Sequence, residues 1–254
     1  MRYCDSHAHY DDSAFDNDWD ILLCKILAEC EFVVNIGVTT DSSAASVELS
    51  ERYDNIYAAV GIHPEYIGDG SDEDIQRIRA LSAHKKVVAI GETGLDYHLD
   101  KTPGTREKQI YAFEKQLMLA KETGKPVIIH TRNAWGDTLD ILKKHRPRGV
   151  VHCFSGSAET AREILSIGMY IGFTGNITYP NAKKARKALD VIPADRILVE
   201  TDAPYKAPIS RKGERCDSLM IPETISCIAS LKGICPDELG IIITENTKRL
   251  FELR

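Results

Sequence analysis

The segment Cys4-Asp5-Ser6-His7-Ala8-His9 carries the clearest chemistry in the chain. Side chains along a β-strand alternate between faces, so Asp5, His7 and His9 share one face. Two imidazoles at that spacing can grip one metal ion, with a carboxylate beside them to fix ring orientation. A lone His-x-His is a weak signal. Its weight comes from further donors that stand where later apolar runs stop. Val87-Val88-Ala89-Ile90-Gly91 stops at Glu92, and Pro126-Val127-Ile128-Ile129 stops at His130. Gly149-Val150-Val151 stops at His152, and the run from Arg196 to Thr201 stops at Asp202. Three or four ligands serve one ion. The set His7, His9, Glu92, His130, His152 and Asp202 has enough donors for two divalent cations about 3.5–4 Å apart. Glu92, between the two groups of histidines, is the best placed to bridge them.

Other residues suit substrate rather than metal. His63, in Gly61-Ile62-His63-Pro64, ends a strand-like run with no carboxylate neighbour and reads as a substrate contact. Arg132 follows His130 by two, so it shares that face, and its guanidinium fork suits a phosphate or a carboxylate. Lys206, Arg211, Lys212 and Arg215 crowd the segment after the last strand, a place that lines barrel active sites. Lys183, Lys184, Arg186 and Lys187 read instead as a solvated helix face. Trp135 and Tyr205 are candidates to stack on bases, with packing an equal reading for Trp135. His98 stays open between substrate contact and surface. His84 and His145 read as surface, and Cys153 as packing.

The elements that position these residues alternate from end to end. Strand-like runs fall near 3–9, 32–37, 56–62, 86–92, 126–130, 148–152, 168–173 and 196–201. Their continuous Val, Ile and Ala content fits parallel strands buried on both faces. Helical patterns fall near 16–30, 42–53, 72–83, 105–123, 135–145, 157–167, 181–190, 221–232 and 236–252. Between 107 and 122, Ile110, Phe113, Leu117 and Ala120 form one stripe, and Gly124-Lys125-Pro126 ends that helix. Eight strands at about 28 residues per step predict a (β/α)₈ TIM barrel, with the donors on its C-terminal rim. A doubly wound sheet would carry a glycine-rich loop after its first strand, where this chain has Asp-Ser-His-Ala-His. With no linker or repeat, residues 1–254 read as one domain.

The chain has 254 residues, 43% hydrophobic and 28% charged, with net charge −6. That excludes attachment to nucleic acid by overall charge and leaves room for a local basic patch. Seven cysteines without paired spacing suggest neither a disulfide framework nor a zinc knuckle. Met1-Arg2-Tyr3 leads into the histidines without an apolar signal region, so a reduced, cytoplasmic setting is the expectation. No apolar run approaches the roughly 20 residues of a membrane span. Nothing points to an obligate protein partner.

Six strings together resemble the TatD family of metal-dependent deoxyribonucleases, within the amidohydrolase-like superfamily. They are Asp5-Ser6-His7-Ala8-His9, Gly61-Ile62-His63-Pro64, Gly91-Glu92-Thr93-Gly94-Leu95-Asp96-Tyr97, Ile129-His130-Thr131-Arg132, His152-Cys153-Phe154-Ser155-Gly156 and Glu200-Thr201-Asp202-Ala203-Pro204-Tyr205. The resemblance implies a (β/α)₈ barrel, one cation on His7, His9 and Asp202, a second on His130 and His152, and Glu92 between them. It further implies hydrolysis of DNA phosphodiesters, often from the 3′ end of a single strand. Zn²⁺, Mn²⁺, Mg²⁺ and Co²⁺ all suit the donor set. Water activated between the cations would be the nucleophile, with Asp202 taking its proton. The chain departs from the family in one segment. Where members carry Arg-Asn-Glu-Pro, this chain has Arg215-Cys216-Asp217-Ser218, which puts the substrate rather than the metal chemistry in question.

Two other readings use the same residues. One is a hydrolase of a small ester, lactone or amide; many such barrels bridge their metals with a modified lysine, where this chain offers Glu92. The other is a non-catalytic binding or scaffold protein on a degenerate barrel, against which the complete donor set argues.

Overall fold

The computed structural model describes residues 2–68, 72–98 and 104–253. Its strands are β1 (Asp5–Ala8), β2 (Val33–Ile36), β3 (Ile56–Val60), β4 (Val87–Asp96), β5 (Val127–Arg132), β6 (Gly149–Val151), β7 (Tyr170–Phe173) and β8 (Ile197–Val199). The helices that follow them are α1 (Trp19–Glu29), α2 (Thr40–Arg52), α3 (Asp72–Ser82), α4 (Thr105–Thr123), α5 (Trp135–His145), α6 (Ala158–Ile167), α7 (Lys183–Ala188), α8 (Ile221–Lys232) and α9 (Pro236–Phe251). All strand pairs are parallel and in chain order. A parallel bridge between Ala8 and Ala203 brings β1 against the segment after β8. This is a (β/α)₈ TIM barrel, as the strand spacing predicts.

Local chemistry explains the helix ends. Thr39 and Ser42 form a reciprocal capping box at the start of α2, and Ser157 caps α6. Left-handed glycines end three helices: Gly124 after α4, Gly168 after α6 and Gly233 after α8. In α4 the predicted stripe faces the barrel, with Phe113, Leu117 and Ala120 buried and Ile110 partly buried.

The strands sort their apolar residues between two cores. Ile56, Ala58, Val127, Ile129, Ile197 and Val199 join helix residues such as Leu23, Ile78 and Phe113 in the outer core. The alternate residues Val34, Ala59, Ile128, Val150 and Leu198 fill a second core, with Leu250 and Phe251 from the end of α9. Each fully buried Val, Leu or Ile contributes about 1.5–3 kcal/mol, so a one-residue slip is strongly disfavoured. That locked register carries function. Two residues beyond Ile128 stands His130, two beyond Val150 stands His152, and beyond Leu198 come Glu200 and Asp202.

One strand differs from the sequence expectation. The apolar run stops at Glu92, yet β4 continues to Asp96, because Gly94, Leu95 and Asp96 keep pairing with His130, Thr131 and Arg132. Ile90 opposes Val127 and Thr93 opposes Ile129, so β4 holds one extra residue around Glu92. Gly94 allows this close approach. Its φ is +144°, and a Cβ there would lie 2.0 Å from the carbonyl oxygen of His130. Gly94→Ala should therefore lower the unfolding free energy by about 3 kcal/mol. Urea denaturation followed by circular dichroism checks this; an unchanged midpoint would contradict the packing.

Candidate metal centre

Glu92 stands at the centre of the barrel mouth, 3% exposed, with imidazoles around it. Its two oxygens face different pairs. Oε2 lies 3.4 Å from His7 Nε2 and 3.9 Å from His9 Nε2. Oε1 lies 2.8 Å from His152 Nε2 and 3.0 Å from His130 Nδ1. Asp202 Oδ1 completes the first group, 3.4 Å from His9 Nε2 and 3.6 Å from His7 Nε2. His7 and His152 stack nearly parallel with ring centroids 4.2 Å apart, joining the two groups. His7, His9 and Asp202 offer donor atoms close enough together to hold one ion; His7, Glu92 and His152 form a second such group, and His63, Glu92 and His130 a third.

Hydrogen bonds behind the rings decide which nitrogen is free. His9 Nδ1 lies 2.9 Å from the Ile36 carbonyl, so it donates there, and the lone pair of the neutral ring is at Nε2, facing Asp202. His130 Nε2 lies 3.1 Å from Asp96 Oδ2 and donates to it, which leaves the Nδ1 lone pair facing Glu92. His63 is the reverse case. Its Nδ1 accepts from the Glu65 amide at 3.1 Å, so Nε2 carries the hydrogen and offers N–H, not a lone pair, toward Glu92 at 3.6 Å. Geometry alone would admit His63 as a ligand; the tautomer makes it a donor. The remaining donor set fits divalent cations.

The charges agree. Burial alone would raise the Glu92 pKa, but His152, His63 and His130 hold it well below the ordinary carboxylate range. Burial opposes charge on His9 and His130, yet the carboxylates outweigh it and raise both to about 9: Asp202 acts on His9, and Asp96 and Glu92 act on His130. Burial, with His152 beside it, lowers His7 to about 4. With no cation bound, protons thus occupy His9 Nε2 and His130 Nδ1, the atoms that would face a metal.

Several residues behind the site escape a sequence reading, and others lie elsewhere than it predicts. Asp96 was legible as the third member of the period-two series Glu92, Gly94, Asp96 on one strand. Glu200 is 1% exposed; its Oε1 accepts from the Cys153 amide at 2.5 Å and lies 3.7 Å from His152 Nδ1. Asp5 does not orient an imidazole. Its carboxylate accepts from Thr201 N and Oγ1, at 3.0 and 2.6 Å, and from Ser218 Oγ at 2.7 Å, which ties β1 to the chain after β8.

A cavity of about 900 Å³ opens over His9, Glu92, His130, His152 and Asp202, with His7 buried beneath, and is also lined by His63, Arg132, Tyr66, Tyr205, Lys183, Lys184 and Lys206. Lys183 and Lys184 thus face the cavity, contrary to the solvated-face expectation, because the chain before α7 crosses the rim. Arg211, Lys212 and Arg215 do not line it. Arg215 is held by two hydrogen bonds to Asp18, at 2.8 and 2.6 Å, and lies over the Phe15 ring; Arg211 pairs with Glu214 at 2.8 Å, and Lys212 is exposed beside it. Trp135 packs edge-on against Phe154, and His98 is exposed outside the cavity lining. His84 and His145 pair with Glu51 and Glu114 on the surface. No helix among the described residues is long and apolar enough to cross a membrane.

A barrel with imidazoles and carboxylates on its C-terminal rim defines a metal-dependent hydrolase class. The model of the TatD-related DNase family matches residues 4–252. The chain is 42% identical to the metal-dependent hydrolase YabD of Bacillus subtilis, over 98% of each chain. It is 35% identical to TatD of Cronobacter sakazakii, described as a 3′-5′ ssDNA/RNA exonuclease, over 94% of each. The crystal structure of YjjV, a TatD homologue from Escherichia coli K12, superposes with a TM-score of 0.92 at 31% identity, covering 100% of this chain and 99% of that one. The chain therefore belongs to the TatD family and is a metal-dependent hydrolase.

Cation binding must displace the protons on His9 and His130. Both pKa values lie above 7, and Glu92 raises His152 as well against its burial, so two or more protons should be released per fully loaded protein at pH 7. Apparent affinity should rise with pH toward 9 and level off above it. Calorimetry in buffers of different ionisation enthalpy measures the release; a value near zero would contradict the protonation pattern.

Proposed function

We propose that the protein is a two-cation phosphodiesterase that removes nucleotides from the 3′ end of single-stranded DNA. His7, His9 and Asp202 would hold one cation and His130 and His152 the other, with Glu92 shared. The observation that carries this reading is the divided carboxylate of Glu92, whose two oxygens serve two different imidazole pairs. The nuclease part draws support from the family description and from the exonuclease relative in Cronobacter sakazakii.

When bound, paired cations lower the pKa of water held between them and neutralise charge on a phosphoryl group. The chain's own residues supply the rest. Asp202 lies at the mouth, its pKa lowered despite burial by His9, His152 and His7, so it is ionised and able to accept a proton from the attacking water. His63 Nε2–H points at the same centre and would donate to a phosphoryl oxygen. Arg132, exposed in the cavity, would present its fork to the oxygens that gain charge. The buried layer of Ile128, Val150 and Leu198 keeps water from beneath the site. Ser6 is not a nucleophile here: its hydroxyl donates to the Val199 carbonyl at 3.1 Å.

Two results are expected. Chelation should abolish release of nucleotides from end-labelled single-stranded DNA, and Mg²⁺ or Mn²⁺ should restore it. Full turnover by protein shown metal-free by elemental analysis would sink the mechanism. Asp202→Asn should fold normally and lose about 10²–10⁴-fold in kcat, as removal of a positioned base does. Wild-type turnover by that variant at saturating cation would remove Asp202 from the role. If ordinary esters or lactones are hydrolysed and DNA is not, the small-substrate reading replaces this one.

A further inference from the structure

The charged residues of the cavity wall separate by sign around the barrel. Strands pair in chain order, so the loops after β1 and β3 stand across the mouth from those after β5 and β7. Outside the six donors, the acidic lining residues are Asp11 and Asp12 after β1, Glu65 after β3 and Asp96 at the end of β4, whose carboxylate accepts from His130 Nε2. The basic ones are Arg132 at the end of β5, Lys183 and Lys184 after β7, and Lys206 after β8. These four cations are exposed, and among the described residues no ion pair joins any of them to a carboxylate, although Asp96 lies close enough to Arg132 to feel its charge. In a protein of net charge −6 this is local arrangement rather than bulk charge.

The acidic half also carries the exposed aromatic surface. Tyr66, beside Glu65, is 54% exposed. Tyr205 is 55% exposed and, though it follows β8, leans to the β1 side, where its hydroxyl donates to Asp12 Oδ2 at 3.1 Å. Large aromatic rings left open at a cavity mouth offer stacking faces, and the acidic neighbours repel phosphates from that side.

We propose that this division orients the substrate, with the phosphates of a single strand along Lys183, Lys184, Lys206 and Arg132 and the terminal base against Tyr66 and Tyr205. This deepens the nuclease reading and rests on it. A backbone entering along the lysines delivers its last phosphodiester over Glu92, at the boundary between the halves. The terminal sugar and base then lie beyond it, on the tyrosine side. A reversed strand would place its phosphates against Asp12 and Glu65.

Binding of a fluorescent, phosphorothioate-linked oligodeoxythymidylate, followed by anisotropy over a range of salt, tests the arrangement. Each phosphate neutralised on a single strand contributes about −0.7 to the slope of log affinity against log salt. Lys183→Ala/Lys184→Ala should make the slope shallower by about 1.4, whereas Lys187→Ala, outside the cavity, should not. Tyr66→Ala should keep the slope but bind about tenfold more weakly. An oligomer with a 3′-terminal abasic residue should bind the wild type as weakly as the normal oligomer binds Tyr66→Ala, and Tyr66→Phe should behave as wild type. An unchanged slope in the double-lysine variant, retained base preference in Tyr66→Ala, or no oligomer binding by the wild type would each overturn the proposal. Hydrolysis of bis(4-nitrophenyl) phosphate and of end-labelled DNA is read in parallel. Predicted binding without cleavage leaves the orientation standing and removes the nuclease reading; cleavage without lysine dependence does the reverse.

Discussion

A carboxylate buried at the axis of the barrel is the constraint on which the rest of the structure depends. Taking Glu92 out of water costs several kcal/mol unless opposite charge and hydrogen bonds surround it. The molecule answers with five imidazoles, from His7, His9, His63, His130 and His152, on four chain segments. No single helix or hairpin could bring five such rings around one carboxylate. A closed ring of parallel strands can, because each strand contributes one inward side chain at the same height. Those rings in turn need fixed tautomers, which the Ile36 carbonyl and Asp96 supply, while Glu200 stands behind His152. The polar centre therefore extends outward one layer beyond the donors.

The same residues close the barrel. The amide of Asp202 donates to the His7 carbonyl, and the amide of His9 donates to the Ala203 carbonyl, each at 2.9 Å. Asp5 adds its bonds to Thr201 and Ser218 just below. Asp202 holds its side chain over the mouth with φ of +59°, a left-handed conformation that aspartate tolerates better than most residues. Fold closure and site geometry thus share one set of hydrogen bonds. A change that loosens the β1–β8 seam also moves His7, His9 and Asp202. The segment that departs from the family pattern sits here too: Ser218 reaches Asp5, and Arg215 reaches Asp18. It works as a brace for the seam.

The alternation of side chains along a strand made most of this legible in the sequence. Period two, apolar runs of fixed length and about 28 residues per step require only local geometry and burial. That is why the eight strands and nine α-helices of the described residues were readable from residue order, and why six candidate donors could be named from it. Asp96 was readable by the same rule, but the end of the apolar run concealed it. Only the tertiary structure decided what depends on contacts between distant segments. It set the tautomer of His63 through the Glu65 amide, which turns the Nε2–H toward Glu92. It turned Asp5 from the imidazoles to the seam and gave Arg215 to Asp18. It brought Lys183 and Lys184 to the cavity although their helix reads as a solvated face. The physical reason is that a residue's type and spacing determine what it can do and which side of its own element it occupies. Which partner reaches it first is a property of loops that meet only when the barrel closes.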